Sequence, residues 1–376
     1  MKRYCKNINI LDIDFLTVCV SDCLKKKWKR RDVLHYFVDL TKLSKRKVKE
    51  LIISDKKFLV SKAVEQVRKE LATRKLKLPT TWYKKKVDKS NCKIRVVGIQ
   101  NIKQQLFDYV AVYGLSDLFK RFGEFQCASI PGRGPLWGVN HIRKWLKNKN
   151  SKYFVKLDVT KCFPSIPHDK LFALIEKYVA NDNLKWLVYK LVGTMVEGLS
   201  IGSYLSQYLC NFYISQLYHE IKENMFYFRR GKRIGLVKYC LIYMDDILLI
   251  GANASKLLRA VLRIVSYAKN ELGLNIKPKW QIAKITDTSF IDIMGFRIHR
   301  KIITVRKRVF LRLRRAYKRA ITRKITIRLA RKCSSYKGYV DHSNLIKFAH
   351  KYKVYKTARI AKKVISNASK VQFRAA

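Results

Sequence analysis

Apolar residues recur at helical spacing through residues 12–75, on a strongly basic background. The stretches DFLTVCVSDCLKKKWKRRDVLHYFVDL and SKAVEQVRKELATRK gather them on one face, which predicts amphipathic helices. Pro79 breaks the pattern. TTWYKKKV and CKIRVVGI then predict two strands, with Asp88-Lys89-Ser90-Asn91 as the hairpin turn between them. Helical spacing returns from Asn101 to Phe122 and over 168–190, with SIPGRG (129–134) as a loop. KYFVKLDV (152–159) predicts a strand with a carboxylate near its end. GLSIGSYLSQYLCNFYISQLYHEI predicts a helix with Gly198, Gly202 and Ser206 on one face at its start. KYCLIYMDDILLIG predicts two apolar strands around a turn of two carboxylates. ASKLLRAVLRIVSYAKNELG predicts an amphipathic helix closed by Gly273, FIDIMGFRI and KIITVR predict short strands, and basic helices follow from Lys307.

Composition narrows the class. The 376 residues leave room for two or three packed modules. An apolar share of 48% with only 15 Gly and 6 Pro argues against a disordered or linker-rich chain. Lys and Arg number 82 against 26 Asp and Glu, a formal net charge of +56. A chain so charged repels itself, and a polyanion would relieve the repulsion and release counterions on binding. An acidic membrane surface would also attract it, but no apolar stretch reaches 18 residues and there is no lipidation signal. The start MKRYCKNINILDIDF has no apolar core of a signal peptide, so a cytoplasmic protein is expected. Nine widely spaced cysteines suit a reducing compartment and a role as small core residues. Cys19 and Cys23 lack a second Cys or His pair nearby and do not read as a zinc site. From Arg306 to Lys332 there are thirteen Lys or Arg, and no acidic residue occurs between Asp292 and Asp341. That density exceeds what a solvated helix face needs and suits contact with a phosphate backbone.

The candidate chemistry lies in the carboxylates. Asp245 and Asp246 stand between CLIY and ILLI. Burying them unpaired is very costly, and Asp is also an ordinary turn residue. A turn between two apolar strands, however, would open into a cleft beside a neighbouring strand end, and KLDV supplies such an end with Asp158. Carboxylates brought together from separate strands can hold two Mg2+ ions, which take hard oxygen ligands and leave positions for phosphate oxygens.

The succession KLDVTKCFPSI, GLSIGSYLSQYLCNFYISQL, YMDD, LGLNIKPKW and FIDIMGFRI, across residues 90–310, resembles the palm of a reverse transcriptase. The resemblance implies an α+β right-hand polymerase fold. Its parts would be an N-terminal helical extension (1–80), fingers (81–150), a palm of antiparallel sheet plus helices (151–300, with some fingers elements interspersed) and a basic helical thumb and tail (301–376). It implies RNA-directed DNA synthesis with two Mg2+ ions, replaceable by Mn2+, on Asp158, Asp245 and Asp246. Lys93, Arg95, Phe163, Gln207, Lys277 and Lys279 would serve the dNTP. Phe163 would block a ribose 2′-hydroxyl, the lesser alternative being a core aromatic beside Pro164. Arg133, Gly198, Ser200, Gly202, Ser206 and Asn211 would line template and nascent base pair, and Met294, Gly295 and Phe296 would grip the primer end.

The form Ile201-Gly202-Ser203-Tyr204-Leu205-Ser206-Gln207 is similar to that of reverse transcriptases of diversity-generating retroelements. That branch copies a template-repeat RNA with errors at adenines, yields a mutated cDNA for retrohoming, and works with a pentameric basic accessory protein. Ser200 stands where many relatives have Pro. A stand-alone antiphage-defence reverse transcriptase with its own structured noncoding RNA, and a non-catalytic maturase-like RNA-binding protein, are the alternatives.

Overall fold

The computed structural model describes residues 2–88 and 93–374, leaving aside the side chains of Asp88, Lys93 and 369–374. The N-terminal pattern folds as α1 (Ile13–Leu24), α2 (Arg31–Thr41), α3 (Lys45–Ser54) and α4 (Lys56–Ala72). Asp12, Ser44 and Asp55 cap three of them, each accepting from a first-turn N–H that the helix cannot satisfy itself. The hairpin follows as β1 (Trp82–Asp88) and β2 (Lys93–Ile99), antiparallel with Lys86 opposite Arg95. Of its expected turn, Lys89, Ser90 and Asn91 lie outside the described residues. Asn101 and Gln104 form a capping box that opens α5 (Ile102–Gly114). The helix ends there rather than at Phe122, and Leu118–Arg121 is a separate 3-10 turn.

Next come β3 (Gln126–Cys127), α6 (Pro135–Leu146), β4 (Tyr153–Asp158), α7 (His168–Tyr178), α8 (Asp182–Val192) and α9 (Tyr204–His219). The helix expected over 168–190 is two helices, because Asn181 caps a new one by accepting from Leu184 N. α9 starts at Tyr204, not at Gly198, whose φ of +50° is not helical. The apolar pattern missed the hairpin of β5 (Phe226–Arg229) and β6 (Lys232–Gly235). Its signal was the turn Arg230-Gly231, with both φ positive. The rest is β7 (Tyr239–Tyr243), β8 (Asp246–Gly251), α10 (Ala254–Asn270), β9 (Ala283–Lys284), β10 (Ile291–Ile293), β11 (Phe296–Ile298), β12 (Ile303–Val305), α11 (Lys307–Thr322), α12 (Ile327–Asp341), α13 (Ile346–Lys351) and α14 (Val354–Arg374).

Five strands form the central sheet, in the order β3-β7-β8-β4-β9. The sheet is mixed rather than antiparallel throughout. β3 joins β7 in parallel, with Gln126 opposite Ile242 and Cys127 opposite Tyr243. A parallel pair needs a long crossover, and the chain between β3 and β7 provides one. Strand alternation sorts the core: Cys240, Ile242, Ile247 and Leu249 join the N-terminal helices, α9 and α10. Leu241, Leu248 and Ile250 join α6, the β10-β11-β12 sheet and the basic C-terminal helices. Burial on both faces is why these strands read as continuous apolar runs. In α11, Leu313, Ala316, Tyr317 and Ala320 are buried, while Arg314, Arg315, Lys318 and Arg319 are exposed. The eight described cysteines are free and buried, as expected of core residues, and Cys92 lies outside the described residues. Among the described residues no helix is long and apolar enough to cross a membrane.

A buried acid on α5 holds the start of α9. Asp108 accepts from the Ser203 hydroxyl at 2.8 Å, Tyr204 N at 3.1 Å and Leu205 N at 3.3 Å. A carboxylate suits the positive end of a helix, yet desolvation prevails and raises the Asp108 carboxyl from 3.8 to about 6. Its folded pKa is therefore above the unfolded one, and the folded state binds the proton more tightly. Stability from this group falls as pH rises from about 4 to 6, and the cost is complete above that window. Asp108→Asn keeps an acceptor and removes the charge. Urea unfolding should show the variant gaining about 2 kcal/mol on the native chain between pH 4 and pH 7. A difference that does not change with pH would contradict this reading of Asp108.

Candidate active site

β4 and β8 run antiparallel with Asp158 opposite Asp246. One residue on, Val159 N donates to the Asp245 carbonyl at 3.0 Å. Asp245 and Met244 form the two-residue turn between β7 and β8, and Met244 has φ +54°. A left-handed conformation suits glycine, and a methionine there carries roughly 1–2 kcal/mol of strain. The Asp245 side chain is exposed, and Asp246 is half-buried. Burial raises the Asp246 carboxyl above the usual carboxylate range; Lys156 opposes this, while Asp245 and Asp158 add to it. Three acids from two strands and a turn thus share one end of the sheet.

Two lysines offset their charge. Lys156 Nζ lies 2.9 Å from Asp246 Oδ1. Lys277 pairs with Asp158 Oδ1, and its backbone N–H donates to the Asp158 carbonyl at 2.9 Å. Lys156 was legible in KLDV, since it sits two residues before Asp158 and shares its strand face. Of the two candidates in IKPKW, Lys277 adjoins the carboxylates and Lys279 is exposed.

Among the described residues no group of three or more His, Cys, Asp or Glu side chains is drawn together tightly enough to hold a metal unaided. The donor set nonetheless fits a hard cation. Asp158 Oδ1 is buried and has the Lys277 ammonium as its ion-pair partner, with no further hydrogen bond. A divalent ion sharing its ligands with phosphate oxygens would satisfy that atom.

The loop before α9 is fixed by close backbone approach. Gly98 N donates to the Ile201 carbonyl at 2.8 Å. A Cβ on Gly98 would lie 1.8 Å from Ser200 Oγ, and one on Gly202 (φ +127°) would lie 2.4 Å from the Gly98 carbonyl oxygen. A Cβ on Gly198 would meet the Pro164 carbonyl at 2.3 Å. The small residues therefore let β2, this loop and the Phe163-Pro164 turn meet. Gly202→Ala should destabilise the chain by roughly 2–5 kcal/mol through backbone strain plus overpacking. Gly134→Ala, which meets open space at ordinary φ, should stay within about 0.5 kcal/mol. Equal unfolding midpoints for the two variants would contradict this.

The other expected site residues differ widely in exposure. Ser200, Ser206 and Asn211 are 2%, 0% and 1% exposed. Asn211 uses its amide inside the chain, donating to Ala128 O at 2.9 Å and accepting from Gln126 Nε2 at 3.2 Å. Ser206 Oγ faces Met195 Sδ at 3.6 Å. Gln207 is half-buried and accepts from the Ser129 hydroxyl at 3.0 Å, which ties the 129–134 loop to α9. Phe163 is half-buried, and its carbonyl accepts from Leu199 N at 2.8 Å. Arg95 is exposed on β2, and the Lys93 side chain lies outside the described residues. Met294 and Gly295 make the β10–β11 turn, both with positive φ, and Phe296 is buried with its ring 5.0 Å from that of Tyr339. Arg133 is half-buried and donates to the Gly123 carbonyl at 2.8 Å.

A family model described as "Reverse transcriptase (RNA-dependent DNA polymerase)" matches residues 83–298. The Putative COX1/OXI3 intron 1 protein of Saccharomyces cerevisiae is 29% identical over 93 residues, 22% of this chain and 11% of that protein. The structure of telomerase from Candida albicans, in complex with a TWJ fragment of telomeric RNA, aligns over 82% of this chain and 66% of its own. The TM-score is 0.43 and the identity 11%, too loose a likeness to argue from. The chain thus spans about a tenth of the yeast protein and under two thirds of the telomerase chain.

Proposed function

The chain belongs to the reverse transcriptase (RNA-dependent DNA polymerase) family, and from that premise we propose that it extends a DNA primer along an RNA template with Asp158, Asp245 and Asp246 as its metal ligands. The observation that carries this reading is the β4–β8 register, which sets Asp158 opposite Asp246 beside the strained Met244–Asp245 turn. Bound Mg2+ would activate the primer 3′-hydroxyl and neutralise charge on the transferring phosphate. The chain's own residues do the rest. Lys156 and Lys277 offset part of the carboxylates' negative charge. Arg95, on the exposed hairpin, would place positive charge against the triphosphate. In this reading residues 81–150 supply fingers, 151–300 the palm, and 301–376 a thumb whose exposed Arg and Lys follow the duplex backbone by shape.

The finer reading is a diversity-generating retroelement enzyme, supported by the Ile201–Gln207 form. It copies a template-repeat RNA with a pentameric basic accessory protein. Ile201 offers no side-chain hydrogen bond near the base pair, and forgoing one polar interaction weakens discrimination by about 1–3 kcal/mol. Sequencing of cDNA made by the complete assembly should show errors concentrated at template adenines. Accurate copying at adenines would remove the diversifying role and leave the polymerase assignment standing.

A further inference from the structure

Beside the edge strand β3 of the central sheet lies a cleft of about 660 Å³ that none of the three carboxylates lines. Along β7, Tyr243 pairs with Asp246 at the acidic end, and Tyr239 pairs with Ile250 and lines the cleft. Aromatic rings dominate the cleft: Phe125, Trp137, His141, Trp145 and Tyr239. Trp137 and His141 have ring centroids 4.1 Å apart, and Trp145 stacks on Tyr239 at 4.9 Å with planes 7° apart. Trp145 is 5% exposed and forms the floor, whereas Trp137 and His141 are only half-buried. Cations surround the rings. The Arg133 guanidinium lies 5.7 Å from the Trp137 ring, Lys238 Nζ lies 5.5 Å from the Tyr239 ring, and exposed Lys144 borders the cleft. Glu124 is the acid among the lining residues.

The polar groups there are held in place by the chain itself. His141 Nδ1 contacts the Trp137 carbonyl at 2.9 Å, so in the neutral ring Nδ1 donates and Nε2 is an acceptor. The Asn148 amide donates to the Tyr239 hydroxyl at 3.1 Å and accepts from Lys238 at 3.2 Å, which fixes it at the edge of the stack. An ordinary core does not leave two adjacent rings half-buried beneath three cations, and a plain phosphate-binding face does not need five rings.

We propose that this cleft holds an unpaired nucleobase of a single-stranded nucleic-acid segment, stacked on Trp137 and His141 with its phosphates on Arg133 and Lys144. Stacking is indifferent to base identity, because every base has a π-face, and it selects against a closed duplex. The SIPGRG loop and α6, which supply Arg133 and Trp137, thereby form a strand-holding site separate from the carboxylates. The site needs neither metal nor dNTP, so its test stands apart from that of the polymerase reading.

The test is fluorescence anisotropy with the full chain, in chelator and at raised salt, using labelled twelve-nucleotide oligouridylate, oligothymidylate and a blunt RNA duplex. Trp137→Ala should weaken single-strand binding about 5- to 150-fold, Trp137→Phe should restore most of it, and duplex binding should be unchanged. Loss with the RNA strand alone would assign the site to template, loss with the DNA strand alone to product, and loss with both to any unpaired strand. In the unaltered chain, 4-thiouridine in the oligonucleotide should photocrosslink to the segment 133–145. Unchanged single-strand affinity in Trp137→Ala, equal losses on duplex and single strand, or crosslinks only elsewhere would each overturn the proposal.

Discussion

Replacing Asp158 with alanine is expected to lower nucleotide addition by roughly 10³-fold or more while RNA binding persists. Asp158 Oδ1 is the buried oxygen whose ion-pair partner is Lys277, with no further hydrogen bond. Without it, the Lys277 ammonium has no carboxylate to offset, and a bound Mg2+ would lack the ligand proposed for it on β4. The backbone contacts of this strand do not depend on the side chain: Lys277 N still donates to the residue-158 carbonyl, and Val159 N to the Asp245 carbonyl. The fold should therefore survive, and Asp158→Asn should lose activity while keeping shape. The pair Asp245→Ala and Asp246→Ala should behave alike. RNA affinity is set mainly by phosphate contacts away from this turn. Primer extension and filter binding on the same preparations separate the two effects, and undiminished synthesis in any of these variants would refute the assignment.

RNA affinity should fall about 10³- to 10⁵-fold between 50 and 200 mM salt, the response of a surface that neutralises six to ten phosphates. The net charge of +56 favours a polyanionic partner, and the structure gives part of that charge a surface. On α11 the apolar stripe of Leu313, Ala316, Tyr317 and Ala320 is used for packing, which leaves Arg314, Arg315, Lys318 and Arg319 on the open side. Arg314→Gln together with Arg315→Gln should lower the slope of log affinity against log salt by about one for each phosphate no longer neutralised. Sequence preference should not change, because backbone contacts carry none. Affinity that does not respond to salt would contradict a charge-driven interface.

The strands that carry the acids were legible because apolar runs ending in carboxylates have few stable placements. KYFVKLDV and KYCLIYMDDILLIG became β4, β7 and β8 as expected, and their pairing set Asp158 opposite Asp246. The start of α9 was less legible. GLSIGSYLSQ has the small residues of a helix face, but Gly198 and Gly202 adopt positive φ and serve contacts with Pro164 and Gly98, which are far away in sequence. Ser206 and Asn211 looked like ligand-facing polar residues, yet they are buried with partners inside the chain, Asn211 on the edge strand β3. Residue type does not reveal that inward turn. β3 itself is two residues long and joins in parallel, so neither alternation nor turn chemistry announces it. Asp108 sits in an apolar helix and gains its role only from Ser203, Tyr204 and Leu205 nearly a hundred residues on.

The most direct test is single-nucleotide addition by the unaltered chain to a DNA primer annealed to an RNA template. With Mg2+ or Mn2+ the complementary deoxynucleotide should be added, and chelation should stop the addition without releasing the duplex. Addition that continues under chelation, or none with either ion on any RNA template, would contradict the account.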